Sequence, residues 1–381
     1  MEDEKNGMKR YVLAFDSFKG TMDADEVTKI VEAALLRHDP ASQIRAIPLA
    51  DGGEGFTETC LRLYGGRRVT HKTVDPLERP VEAFYAALPD GTGAVEMASC
   101  CGLPLMGRER DPLHASTYGL GQLLRRMESD GVTKILLGLG GSATNDGGIG
   151  MAAALGYQFL NAAGELLHAI PENLSDIVRI IQPKKPWTIP VIAACDVDNP
   201  LTGEKGATYV FGPQKGVSGE MRERLDAGLQ NLALCIKKDL CMDVSGLPGA
   251  GAAGGLGAGV AAFLHGMLRP GIELILDAAG IDDAIRQADY VLTGEGRIDA
   301  QSAHGKVPVG VARRAKAAGV PCIALCGVTG EGFEKTYAAG IRRVYAASPG
   351  GEPFEMVKRH CRETLRTLAE RVAAELDCSA Q

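Results

Sequence analysis

The chain has 381 residues, 45% of them hydrophobic and only 5% aromatic, with 49 glycines and a formal charge of −7. That length suggests two or three domains, and the negative balance argues against a general nucleic-acid surface. No apolar run approaches the ~20 residues of a membrane span. The charged opening MEDEKNGMKR has no apolar core behind it, and none of the ten cysteines forms a C-x-x-C pair. The expectation is therefore a cytoplasmic globular protein with reduced thiols and neither zinc nor disulfides.

Residues 11–15, YVLAF, read as a buried strand running into Asp16-Ser17-Phe18-Lys19-Gly20. A helix follows, started near Asp23 or Asp25, with Val27, Ile30, Val31, Ala34 and Leu35 on one face and Pro40 beyond its end. A second strand, 44–49, ends in Asp51-Gly52-Gly53-Glu54-Gly55, and a helix is predicted over 56–64. Two successive strands thus carry polar glycine loops at their carboxyl ends, where open α/β sheets place ligands. Residues 81–97 then read as two strands about Pro89-Asp90-Gly91, a hairpin signal that places a domain change near Asp75-Pro76.

A helix over 117–128 leads to the strand Ile135-Leu136-Leu137, followed by LGGSATNDGG and the helix-compatible run 151–155. Glycines there let backbone approach a ligand, and loop N–H groups at a helix start favour an anion. Gly140, Gly141, Ser142, Thr144 and Asn145 are the candidate phosphate-binding residues. A strand over 187–194 runs into Cys195-Asp196-Val197-Asp198-Asn199, and GATYVFGPQKG at 206–216 reads as a strand plus a loop carrying Lys215. PGAGAAGGLGAG at 248–259 is a flexible linker or, preferred here, a tight turn plus a helix start packed closely on a sheet. The last third is a βαβ unit: strand 288–292, loop Thr293-Gly294-Glu295-Gly296-Arg297-Ile298-Asp299, helix 309–318 and strand 320–325. A third strand at 341–346 and an amphipathic helix over 354–376 close it.

DSFKG at 16–20, DGGEG at 51–55, GGSATNDGG at 140–148, CDVDNPL at 195–201, FGPQKG at 211–216, PGAGAAGGLG at 248–257, GEGRID-Q at 294–301 and Gly305-Lys306 together span the chain. In that order they resemble the bacterial-type (type 1) glycerate kinase family. The resemblance implies transfer of the γ-phosphoryl of ATP to D-glycerate with magnesium, usually giving 2-phosphoglycerate and sometimes 3-phosphoglycerate, in organic-acid catabolism. It also implies two domains. One is a discontinuous flavodoxin/Rossmann-like domain, 8–75 and 286–376, and the other an inserted mixed α/β domain, 76–285.

No G-x-x-x-x-G-K-[ST], H-R-D or D-F-G occurs, so neither a P-loop nor a protein kinase is read. Phosphoryl transfer needs charge neutralisation, a held acceptor, a proton acceptor and a metal. Lys19 and Lys215 are candidates to neutralise phosphate. Asp16, Asp51 and Asp196 are candidates for the proton or the metal, unranked except that Asp196 is favoured for magnesium. Arg297 can grip a carboxylate bidentately, Glu295 could orient it or accept from a hydroxyl, and Ser17 joins the substrate set. Closure of the domains about ATP is a further expectation. The competing readings are a kinase of another small hydroxy acid and a non-catalytic sensor on the same scaffold. Oligomeric state is not legible.

Overall fold

The computed structural model describes residues 8–47, 49, 55–107, 109–304 and 306–378. The chain forms two compact units, one built from residues 1–51 and 272–381, the other from 52–271.

The first unit opens with β1 (Arg10–Phe15), α1 (Ala24–His38) and β2 (Gln43–Ala46). Asp23 caps α1 by accepting the Glu26 N–H, as its position at the helix start predicts. Past β2 the pairing with the first strand continues, since Ile47 and Leu49 donate to Leu13 and Phe15.

The chain then enters the second unit through α2 (Phe56–Tyr64), β3 (Arg67–Val74), β4 (Pro80–Ala87), β5 (Thr92–Glu96) and the short α3 (Ala98–Cys101). Next come α4 (Tyr118–Ser129), β6 (Lys134–Gly138), α5 (Ile149–Ala154), the small antiparallel pair β7 (Gln158–Leu160) and β8 (Arg179–Ile181), and β9 (Val191–Ala194). The unit ends with α6 (Ala207–Phe211), α7 (Gly219–Leu240), α8 (Ala252–Leu264) and β10 (Met267–Arg269). Its main sheet has the order β10-β9-β6-β5-β4-β3. The first four of these strands run parallel, and β4 alone opposes them, pairing antiparallel with both β5 and β3.

The sequence puts the exchange points near 75 and 286, whereas the chain passes between units at 51/52 and 271/272. Asp75-Pro76 is the turn of the β3–β4 hairpin: Asp75 accepts from the Leu77 and Arg79 N–H groups and from the Arg79 guanidinium. β3 is paired with β4 along its whole length, and α2 packs on β5 and β4.

The return begins with α9 (Gly271–Ala278) and α10 (Ile281–Arg286). They are pinned to α11 (Val307–Ala317) by Arg314, which pairs with Glu273, Asp277 and Asp282. β11 (Tyr290–Ile298), β12 (Cys322–Thr329), β13 (Ile341–Ala346) and α12 (Phe354–Cys378) complete the first unit. Its sheet, β13-β12-β11-β1-β2, is parallel throughout. Tyr11, Leu13 and Phe15 share a core with α1 and with the α12 stripe Cys361, Leu365, Leu368, Val372 and Leu376. Val12 and Ala14, pointing the other way, are buried as well, as expected of a parallel sheet covered on both faces. This is the doubly wound α/β class expected from the sequence.

Three local readings are corrected. Residues 207–211 form a helix, not a strand: Ala207 and Thr208 are buried against α8 and α7, and this packing overrides the β preference of Tyr-Val-Phe. Residues 293–298 are strand rather than loop, because β12 continues to pair with β11 as far as Ile298. The strand expected over 187–194 is limited to Val191–Ala194, after Pro190. The glycine-rich stretch at 248–259 is a tight turn into α8, with Ala253, Gly254 and Gly255 in the left-handed region.

Candidate active site

In the first unit the order 2-1-11-12-13 reverses direction between β1 and β11, so a crevice opens beyond their carboxyl ends. A cavity of about 430 Å³ lies there, and Ser17, Lys19, Glu295, Arg297 and Lys306 all line it. Two glycines permit this closeness. A Cβ on Gly294 would stand 1.8 Å from the Leu325 carbonyl oxygen, and one on Gly296 would stand 3.2 Å from Phe18 Cα. Asp16 is buried at the root of the crevice, and its Oδ1 accepts from the Ser17 N–H at 2.7 Å and from Ser17 Oγ at 3.3 Å. Arg297 is exposed, with Nε 3.2 Å from Asp299 Oδ2. Glu295 is buried, which pushes its carboxyl above the usual range. The Ser302 hydroxyl and the Lys306 ammonium oppose that rise, and Asp299 adds to it.

In the second unit a smaller cavity, about 210 Å³, is lined by Gly140, Gly141 and Ser142 from the loop after β6, by Asp196 beyond β9, and by Gln214 and Ala253 among others. Asp196 is exposed, and its Oδ1 accepts the Gly271 N–H at 2.7 Å. Thr144 and Asn145 lie behind the loop, fully buried. Asn145 Nδ2 donates to Thr208 Oγ1 at 3.0 Å, while Thr144 Oγ1 and Asn145 Oδ1 have no hydrogen-bond partner among the described residues.

Lys215 is buried too, and its ammonium donates to Ser142 Oγ and to the Thr144 carbonyl, both at 2.7 Å. Burial pulls its pKa down to about 7 against the opposing charge of Asp146. The lysine thus holds the glycine loop from behind. Asp146 braces the same loop, since its carboxylate accepts from the Thr117 N–H and hydroxyl and from the Gly148 and Gly150 N–H groups. Asp51 lies outside the described residues. Among the described residues no group of three or more His, Cys, Asp or Glu could hold a metal ion. An ion here would rest on one carboxylate and on ligand oxygens, which suits magnesium and which exposed Asp196 can supply.

Three residues were missed from sequence. Ser302 and Lys306 meet Glu295 only because the chain turns back after β11; the Gly305-Lys306 pair was visible, its target was not. Glu96 accepts from the Gly55 and Phe56 N–H groups at the start of α2, and a glutamate at a strand end carries no sequence signal for that task.

Cations, hydroxyls and glycine-framed backbone at the carboxyl ends of parallel strands are the equipment of a phosphotransferase. A profile of the Glycerate kinase family matches residues 11–377. A glycerate kinase of Halalkalibacterium halodurans is 45% identical over 347 residues, 90% of this chain and 91% of that one. The glycerate 2-kinase of Escherichia coli is 40% identical, covering 88% and 90%. The crystal structure of a proposed glycerate kinase 2 from Salmonella typhimurium LT2 superposes with a TM-score of 0.85 at 39% identity, covering 98% of this chain and 99% of that one. The chain belongs to the glycerate kinase family, and it is an enzyme that transfers a phosphoryl group to an alcohol acceptor. No helix among the described residues is long and apolar enough to cross a membrane.

Proposed function

We propose that the enzyme transfers the γ-phosphoryl of ATP to D-glycerate, giving 2-phosphoglycerate. The observation that carries the reading is the gathering of Ser17, Lys19, Glu295 and Arg297 around one cavity at the point where the first sheet reverses its order. That set matches a small hydroxy acid: Arg297 for the carboxylate, Ser17 and Glu295 for hydroxyls, Lys19 for charge on the transferring group. The name of the Escherichia coli relative supports the 2-phospho product.

In the second unit the backbone of Gly140, Gly141 and Ser142 is assigned to the nucleotide phosphates, with Thr144, Asn145 and Lys215 holding that loop in shape. Asp196 is assigned to magnesium, which when bound supplies charge neutralisation at phosphate oxygens. Asp16 and Asp51 remain assigned to the acceptor side, Asp16 by fixing Ser17. The reaction needs no nucleic acid and no membrane, and we place the enzyme in the cytoplasm.

The test is ADP release with D-glycerate, L-glycerate, tartronate and glycolate in parallel, followed by phosphorus NMR of the product. Turnover of D-glycerate to a 2-phosphate is expected. Preference for another acid, or a 3-phosphate product, would replace this assignment, and no nucleotide consumption with any acid would end it.

A further inference from the structure

The acceptor hydroxyl must lose a proton as its oxygen attacks phosphorus. On the assignments so far, that proton goes to buried Asp16 or to Asp51. Glu295 stands in a different position. It follows Gly294, the last β11 residue paired with β1, stands opposite Cys326 on β12, and is 6% exposed, yet it lines the first unit's cavity together with Ser17, Lys19 and Arg297. Asp16 is 2% exposed, is not among the cavity's lining residues, and has Oδ1 committed to Ser17.

The surroundings of Glu295 also hold it in one orientation. Ser302 Oγ donates to Oε1 at 2.6 Å, and the same hydroxyl accepts the Asp299 N–H at 3.1 Å. Its single proton is therefore directed at Glu295. Oε2 lies 3.5 Å from Lys306 Nζ. Charged and titratable groups about the carboxyl are Lys306 at the start of α11, Asp299 beyond β11, Cys326 on β12, and Lys19, Arg297, Glu352 and His360 around the cavity.

We propose that Glu295, held by Ser302 and Lys306, is the general base that receives the proton of the acceptor hydroxyl. The proposal rests on the kinase reading above. In the step, the substrate oxygen forms its bond to the γ-phosphorus as the bond from that phosphorus to the bridging oxygen breaks. The electron pair of the broken bond leaves with ADP. The hydroxyl proton passes to the Glu295 carboxylate and then to solvent. Burial suits the task, because a carboxyl that holds a proton more tightly is a stronger base.

The experiment measures kcat and KM for D-glycerate and ATP across pH in the wild type, Glu295→Gln, Ser302→Ala and Lys306→Met. Glu295→Gln is expected to lower kcat about 10²–10⁴-fold while leaving KM for D-glycerate nearly unchanged. Ser302→Ala and Lys306→Met each remove a group that favours the ionised carboxylate. In both, the acidic limb of kcat/KM should move to higher pH, a shift that a purely structural role would not produce.

An active wild type whose Glu295→Gln variant keeps its kcat overturns the proposal. So does a variant that loses only KM, which would make Glu295 a binding group, and so do acidic limbs that stay in place in both supporting variants. If Glu295→Gln does not fold, those two limbs decide. A wild type that phosphorylates no acid overturns the kinase reading and this one together.

Discussion

Lys215 is 2% exposed, and both of its hydrogen bonds go to the loop that follows β6. An ammonium in such a place is stable only while its partners stay in position, so the lysine and the loop fix one another. Lys215→Met should cost about 10²-fold in kcat/KM, the scale of a reacting group misplaced by an ångström, and steady-state kinetics on a folded variant would read it. The pH dependence has a definite sign. The folded pKa is about 7 and the ordinary value 10.5. Between these values the unfolded chain carries a proton on this lysine that the folded chain has lost, so the contribution of Lys215 to stability rises with pH through that window. Buried thiols held above their ordinary range titrate with the opposite sign in the same window, so the measurement is the difference between wild type and Lys215→Met in denaturant unfolding at about pH 7 and about pH 9.5. That difference should shift in favour of the wild type as pH rises, and a constant difference would count against the assignment.

Arg297 is the complementary case, an exposed guanidinium beside Asp299. Arg297→Ala should raise KM for D-glycerate about 10–100-fold, the loss of a charge-assisted hydrogen bond, with KM for ATP unaffected. Both residues were legible from sequence as basic groups in glycine-flanked segments. What sequence could not reveal was that one points into a cavity and the other into the protein. Burial of a lysine depends on partners far off in the chain, here Ser142 and Thr144.

At the scale of the element, the turn into α8 and the glycine loop are built as a pair. A Cβ on Gly254 would lie 1.9 Å from the Thr144 carbonyl oxygen, and the residue has φ +69°. Gly254→Ala should therefore lose more than the roughly 1–3 kcal/mol of a strained backbone conformation, because the loop must also move. Gly164, at φ +79° with nothing within 4 Å, provides the control; Gly164→Ala should cost only about 1–2 kcal/mol. Thermal unfolding of the two variants makes the comparison. The preferred reading of that stretch, turn plus close-packed helix, rested on the apolar run behind it, a local signal. The misreadings at 207–211 and 293–298 were of another kind. Tyr-Val-Phe has strand-like side chains and Gly-Glu-Gly loop-like ones, but the choice was made by neighbours: helices α7 and α8 in one case, strand β12 in the other.

For the whole molecule, the two cores are drawn from separate stretches. The main core of the second unit uses residues from Val69 to Leu264, while the core shared by α1 and α12 uses only residues up to Leu35 and from Leu292 onward. Residues 52–271 expressed alone are expected to fold cooperatively, with mixed α/β circular dichroism and a single thermal transition. If that fragment also carries the phosphate-binding loop as assigned, calorimetry should detect ATP binding with magnesium present. A fragment that melts without a transition would show that its core is insufficient by itself. Fold class was legible because strand–glycine–helix punctuation recurs along the chain. The unit boundary was not, because a hairpin turn rich in Asp and Pro has the same composition as a linker.

The pairing of β1 with β11 joins Tyr11 to Tyr290 and Phe15 to Gly294. During synthesis the opening strand therefore leaves the ribosome well before its central partner exists. The bond between Thr293 and Ala14 alone spans 279 residues, which at typical elongation rates is a delay of roughly 15–55 s. In that interval the intervening segment can finish folding while YVLAF, with α1 and β2 beside it, waits for β11 and α12. Slowing translation late in the message should therefore lower the yield of active enzyme more than slowing it early.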